Sequence, residues 1–209
     1  MFITLEGPDG SGKSSQIGPL AAFLRQQGHD VIETREPGGT QIGDQIRNVI
    51  MNLKNNRMFP TSEILLFQAS RAQLVREVIL PALGAGKVVL CDRYTDSTLA
   101  YQGYGHQTEL EELRRIVDYA TGGLKPDLTL YLDIDAEEGL RRRSDGGEEW
   151  NRLDDYALEF HRRVRDGYHE MIKAEPERWV TIDGGQPPEQ VQADLQRAVL
   201  ARLKDAAGA

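Results

Sequence analysis

The sequence predicts a three-layer α/β fold, a five-stranded parallel sheet with helices on both faces and a short lid. Three observations lead there. Five short runs are rich in β-branched and aliphatic residues. Longer stretches with helical spacing lie between them, and a glycine-rich loop joins the first run to the first helical stretch.

In chain order, "FITLE" (2–6) reads as the first strand. Ile17, Leu20, Ala21 and Leu24 then recur at i, i+3, i+4 and i+7, the spacing of one helix face. Pro19 falls inside that helix, where it removes a hydrogen bond, so a local distortion is expected there. "DVIETR" (30–35) reads as the second strand, and Ile42, Ile46, Val49, Ile50 and Leu53 mark a second helix. Thr61 or Ser62 is expected to cap a helix through "EILLFQASRAQLVREVIL". "KVVLCD" (87–92), "LTLYLDI" (128–134) and "WVTID" (179–183) complete the strands. No internal repeat or low-complexity linker interrupts the pattern, so residues 1–209 read as a single domain with a lid at about 141–153.

The bulk properties narrow the possible functions. Of 209 residues, 39% are apolar and 28% charged, with a net charge of −8, as expected for a globular chain with a real core. An acidic balance argues against a nucleic-acid or anionic-membrane surface. The one cysteine, Cys91, sits in an apolar run, so neither a disulfide framework nor a zinc cluster can form within the chain, and Cys91 is expected in the core. No secretory leader and no apolar run of spanning length is visible, so a cytoplasmic location is expected.

The loop carries the first chemistry. Gly7-Pro8-Asp9-Gly10-Ser11-Gly12-Lys13-Ser14 matches G-x-x-x-x-G-K-[ST], the P-loop of the P-loop NTPase fold, with Ser15 following. Glycines let the backbone wrap so that N–H groups face phosphate oxygens, and the helix start that follows favours an anion. Lys13 supplies a point charge at the β/γ-phosphates, and the Ser14 hydroxyl suits Mg2+. A guanine-reading N-K-x-D is absent, so the loop says nucleoside triphosphate without saying what is done with it.

Ligands of open α/β sheets sit beyond the carboxyl ends of the strands. There the chain has "REPGGT" from Arg35, "DRYTDSTLAYQGYG" from Asp92, "LRRRSDGGEEWNR" (140–152) and the turn "DGGQ" (183–186). An acidic chain thus gathers arginine where phosphates would lie. Phe67 and Arg71 share a helix face, as do Arg93, Ser97 and Tyr101 if they are helical. A plane plus a guanidinium fork suits a flat heterocycle with a carbonyl edge. Taken alone, Phe67 and Arg71 also fit a core phenylalanine and a solvated arginine, and Tyr101 fits simple packing.

"EGPDGSGKS", "TREPGGT", "EILLFQASRAQ", "CDRYTDSTLAYQG" and "KPDLTLYLD" together resemble the thymidylate kinase family over nearly the whole chain. That resemblance implies transfer of the γ-phosphoryl of ATP to dTMP, with Mg2+, in a homodimer. It implies that Arg35 and Arg93 hold the acceptor phosphate and that Asp92 lies near Mg2+ with Ser14. Phe67 would stack on thymine, Arg71 would bond its edge, and Ser97 and Gln102 would add contacts. Asp9 would accept from the sugar 3′-hydroxyl, and Tyr101 would disfavour a ribose. Arg142 would lie on adenine, with Asp183, Gly184 and Gln186 in the loop that closes that pocket. Some family members carry an arginine inside the P-loop. Positions 8–11 here are Pro-Asp-Gly-Ser, so the chain resembles the bacterial branch, in which a lid arginine is catalytic, with Arg143 and Arg152 as candidates beside Lys13 and Arg93. Gly146 and Gly147 suggest that the lid moves. A kinase for another nucleoside monophosphate or for a deoxynucleoside, and a non-catalytic ATP-binding module, share the P-loop and remain open on the residues alone.

Overall fold

The computed structural model describes residues 1–145 and 151–208, with side chains described to residue 205. Its centre is one parallel sheet of five strands, β1 (Phe2–Glu6), β2 (Val31–Arg35), β3 (Val88–Asp92), β4 (Leu128–Asp133) and β5 (Trp179–Asp183), in the order β2-β3-β1-β4-β5. All five match the runs read from sequence. The nearly continuous apolar character of β1, β3 and β4 follows from burial on both faces, while the edge strands β2 and β5 are only partly buried.

Alternation sorts the side chains. Ile3, Leu5, Val88, Leu90, Leu128 and Leu130 pack with Leu20 and Leu24 of α1 (Lys13–Gln26) and with Leu195 and Val199 of α9 (Pro188–Gly208). Phe2, Val89 and Cys91 face the other way, against the segment that follows α3 (Pro60–Leu74). Cys91 is buried, and burial pushes its thiol pKa up, so it behaves as the expected core residue.

Two details differ from expectation. α1 runs unbroken through Pro19, because Leu20, Ala21 and Leu24 are fully buried and their packing outweighs one lost hydrogen bond. α3 begins at Pro60 rather than after a Thr61 or Ser62 cap. A proline at the first helical position gives up an N–H that has no partner there anyway.

α2 (Gln41–Met51) is capped by the Thr40 hydroxyl, which accepts from the Gly43 N–H at 2.9 Å. Of the apolar stripe read on it, only Ile50 is buried, and Ile42, Val49 and Leu53 are exposed. α3 continues through a wider π-helical turn (Val75–Ile79) into the short α4 (Leu80–Gly84). α5 (Thr95–Thr98) likewise runs into a π-helical stretch, Leu99–Gly105. There the N–H groups of His106 and Thr108 reach back five residues to Tyr101 and Gly103. α6 (Leu110–Thr121), α7 (Ala136–Asp145) and α8 (Leu158–Ala174) complete the helices.

The sheet places one charged residue at the end of each strand: Glu6, Arg35, Asp92, Asp133 and Asp183. The register pairs Arg35 with Asp92 and Asp133 with Asp183, so these ends lie on one rim. The P-loop is pressed against α7 at the same rim. A Cβ on Gly10 would lie 2.0 Å from the Gly139 carbonyl oxygen, and one on Gly139 would lie 2.5 Å from that of Asp9, so both positions need glycine.

Candidate active site

A cavity of about 290 Å³ opens at this rim. Its lining brings together Gly10, Gly12, Lys13 and Ser14 of the P-loop, the cations Arg35, Arg47 and Arg93, and Phe67, Arg71 and Gln102.

In the P-loop, Gly12 holds a left-handed φ of 91° and starts α1. Lys13 is buried and donates to the carbonyls of Gly7 (2.9 Å) and Pro8 (2.8 Å) and to the Ser11 hydroxyl (3.1 Å). Burial, then the nearby charge of Arg93, bring its pKa down to about 8, with Asp92, Asp9 and Glu6 partly opposing. The Ser14 hydroxyl donates to Asp92 Oδ2 at 2.9 Å. One hydroxyl and one carboxylate at this spacing fit Mg2+, which keeps several waters and takes its other oxygens from substrate phosphates. No group of three or more histidine, cysteine or carboxylate ligands exists among the described residues.

Arg93 lies ahead of α5 with φ 68°, a left-handed conformation that only a few per cent of non-glycine residues adopt. The helical face expected for Arg93, Ser97 and Tyr101 therefore does not exist as such. Their side chains meet nonetheless, because the turn folds Arg93 back. Its Nη1 donates to the Gly7 carbonyl (3.0 Å) and Ser97 Oγ (3.1 Å), and its Nη2 to Asp9 (2.6 Å) and the Tyr101 hydroxyl (3.1 Å). The Tyr101 hydroxyl donates to the other Asp9 oxygen at 2.6 Å. Burial alone would raise the Asp9 pKa, but Arg93, Lys13 and Tyr101 together hold it at about 2. Asp9 is thus a fixed anion that can only accept.

Arg35 is exposed and pairs with Asp44 at 3.3 Å. Phe67 is half-buried in the wall. Arg71 is almost fully buried. It binds Glu36 through Nε (2.7 Å), Gln68 and Thr98 through Nη1 (both 2.9 Å), and the Tyr94 carbonyl through Nη2 (2.9 Å). That network fixes the guanidinium plane.

The lid arginines divide. Arg142 lines the cavity and donates to the Gly184 carbonyl at 2.8 Å, which ties α7 to the 183–186 turn. Asp183, Gly184 and Gln186 themselves are not part of the wall. Arg143 also lines the cavity and is held by the buried Asp154, with Nε 3.2 Å from Oδ1. Arg152, expected beside it, is not in the wall. It is 6% exposed and bound to Glu63, to the Ile50 carbonyl (2.9 Å) and to the Tyr156 hydroxyl (3.0 Å). The reason is elementary: a buried carboxylate captures the nearest guanidinium, since an unpaired charge there is costly. The glycines at 146 and 147, on which lid movement was expected, lie outside the described residues.

Sequence reading overlooked several groups. Arg47 lies three positions after Asp44 on α2 and adds a further cation to the wall. Glu6, the last residue of β1, accepts from the Tyr94 N–H (2.7 Å), the Ser97 hydroxyl (2.6 Å) and the Tyr168 hydroxyl (2.8 Å). Burial, then Asp96, raise the Glu6 pKa to about 7. A carboxylate ending a buried strand was the available signal. Asp154 and Glu63 gave none, because their partners lie 11 and 89 residues away in the chain.

Comparison with known proteins agrees with this geometry. The family model described as thymidylate kinase matches residues 5–195. The chain is 54% identical over 197 residues to a thymidylate kinase of Roseiflexus sp. (strain RS-1), covering 89% of this chain and 87% of that protein. It is 50% identical to one of Geotalea uraniireducens (strain Rf4), covering 98% of each. A crystal structure of thymidylate kinase from Ehrlichia chaffeensis superposes with a TM-score of 0.77 at 33% identity, over 95% of this chain and 98% of that one. A shared P-loop would not produce matches of that length, which take in the cavity's arginines and its aromatic wall as well: this chain belongs to the thymidylate kinase family.

Proposed function

We propose that this chain transfers the γ-phosphoryl group of ATP to dTMP, giving dTDP and ADP, as a single domain with residues 141–153 as its lid. The observation that carries this is the set of groups that line one cavity: the P-loop with Lys13, the cations Arg35, Arg47 and Arg93, and Phe67, Arg71 and Gln102. That set suits a donor triphosphate, an acceptor phosphate and a flat base. Asp9 and Tyr101 line the same cavity, and their 2.6 Å bond would narrow the space for a sugar 2′-hydroxyl.

The acceptor is already a phosphate anion, so no strong base is required. The work is positioning and charge stabilisation. Lys13 and the P-loop amides hold the donor. Arg35, Arg47 and Arg93 hold the acceptor oxygens. Arg142, which lines the cavity and is held by the Gly184 carbonyl, lies beside the adenine. Ser14 and Asp92 would hold Mg2+ against the donor phosphates, where it supplies charge neutralisation on the leaving side. Arg143 neutralises charge on the transferring group, and Arg152 acts elsewhere. No helix among the described residues is long and apolar enough to cross a membrane. The protein then works in the cytoplasm with its two soluble nucleotide substrates.

We further propose a homodimer through α2, α3 and α6, which pack side by side. Their apolar Ile42, Val49, Leu65 and Tyr119 are exposed, a stripe that one chain leaves without a partner. Light scattering should give twice 23.4 kDa, and Leu65→Arg should give the monomer. A wild-type monomer would remove the proposal.

Arg143→Ala should lower kcat by about 10³-fold with a much smaller change in ATP KM, as for other arginines that meet a transferring phosphoryl group. A kcat within a few-fold of wild type would assign the charge elsewhere. The lowered Lys13 pKa, about 8, gives a second expectation. Above that pH the free chain has largely lost the Lys13 proton, and bound phosphate favours the ammonium. ATP binding at about pH 8.5 should therefore take up a proton, visible as a dependence of the calorimetric heat on buffer ionisation. The Lys13 contribution should vanish at about pH 6.5, where Lys13 is protonated throughout, leaving only the groups that titrate there, Glu6 and the nucleotide phosphate. Equal proton uptake at both values would contradict it.

A further inference from the structure

We propose that Glu63 is a positioning residue that fixes the base-reading amide of Gln102 and, through Arg152, the carboxyl-terminal root of the lid. Its carboxylate is 1% exposed, near the start of α3, and it stands where three other segments converge. Gln102 of the π-helical stretch donates its Nε2 to Glu63 Oε1 at 2.7 Å. His106 Nε2, from the same stretch, lies 3.4 Å from that oxygen. Arg152 donates Nη2 to Oε2, and the Tyr156 hydroxyl lies 3.4 Å from it. The Arg152 Nε also holds the Ile50 carbonyl near the end of α2, at 2.9 Å.

The consequence for the base follows from donor and acceptor chemistry. Burial alone would raise the Glu63 pKa, but His106, Arg152 and Gln102 outweigh it and lower it, so the group is a carboxylate. A carboxylate only accepts, so it takes the NH₂ end of the Gln102 amide and leaves the carbonyl oxygen for a ligand in the cavity that Gln102 lines. Gln102 is thereby held as an acceptor, while Arg71, which lines the same cavity, carries a guanidinium that can only donate. Thymine offers a ring N–H beside a carbonyl and matches that pair. Cytosine offers a ring nitrogen acceptor and an amine, and meets like with like on both. Selection for the base is then set at one remove from the base. The same carboxylate anchors Arg152, so lid and base pocket share a joint.

This rests on the dTMP reading above, and the test separates the two. The full chain is assayed with ATP and either dTMP or dCMP, and selectivity is the ratio of kcat/KM. Where dCMP turnover is too slow, the ratio of its inhibition constant to the dTMP KM serves. Wild type without transfer to dTMP would defeat the functional reading itself. With wild type active, Glu63→Gln, whose new amide lets Gln102 turn over, should reduce selectivity by roughly ten- to a hundredfold. The double variant E63Q/Q102E restores a donor facing an acceptor and should recover most of the selectivity, but not kcat, because Arg152 still lacks its counter-charge. Arg152→Met should lower kcat with selectivity within about twofold of wild type. A folded E63Q chain with unchanged selectivity, or a folded double variant that recovers none, would overturn the proposal for Gln102. An Arg152→Met chain with wild-type kcat would overturn it for the lid.

Discussion

The guanidinium of Arg93 joins the P-loop to the helical segment that follows β3. It touches the P-loop through Gly7 and Asp9 and that segment through Ser97 and Tyr101. The Asp9 pair is only partly exposed, at 17% and 21% of the two side chains, so it is worth more than a surface pair and costs more if broken. The backbone is bent to allow this. Arg93 takes a left-handed φ, held from both sides: its own N–H donates to the Leu5 carbonyl at 2.9 Å, and the next N–H, of Tyr94, donates to Glu6. Strain of this kind persists where the surroundings over-determine it. The end of β1 supplies that restraint, and the same strand end launches the P-loop, so one strand end fixes both Arg93 and the loop it binds.

Charge distribution follows the same logic. The chain carries a net −8, yet its rim gathers Lys13, Arg35, Arg47 and Arg93 around one cavity. Repulsion among them shows in Lys13, whose pKa Arg93 helps to depress, and in Arg47, whose pKa falls through burial and then through Arg35. Anionic phosphates relieve that repulsion. An acidic exterior around a cationic cleft also focuses the field on the place where phosphates bind.

Much of this was legible in the sequence because it is local. The three central strands, β1, β3 and β4, are buried on both faces, so each is a nearly continuous apolar run, and the edge strands β2 and β5 still carry β-branched and aromatic residues. The P-loop is a fixed spacing of glycines, and the strand ends are the positions where charge follows such a run. Arg93, Ser97 and Tyr101 were grouped correctly for a wrong reason. They were read as one helical face, but a left-handed turn and a π-helical stretch bring them together. What the sequence hid is pairing at a distance. Arg152 looks like Arg143 in a run of lid arginines, and only the buried Glu63, far away in the chain, separates their fates. Asp154 was silent for the same reason, since a lone carboxylate reads as solvated until its partners are known, whereas Glu6 could have been found as a carboxylate that ends a buried strand.

The most direct measurement is the initial rate of ADP formation by the wild-type chain from ATP with dTMP, dUMP, dCMP or UMP in turn. A cavity in which Arg71 and Gln102 meet the base and Asp9 and Tyr101 bound the sugar predicts the highest kcat/KM for dTMP. UMP, with its ribose, should fall far below dUMP. No ADP with dTMP, or UMP turned over as well as dTMP, would contradict the assignment of the acceptor site.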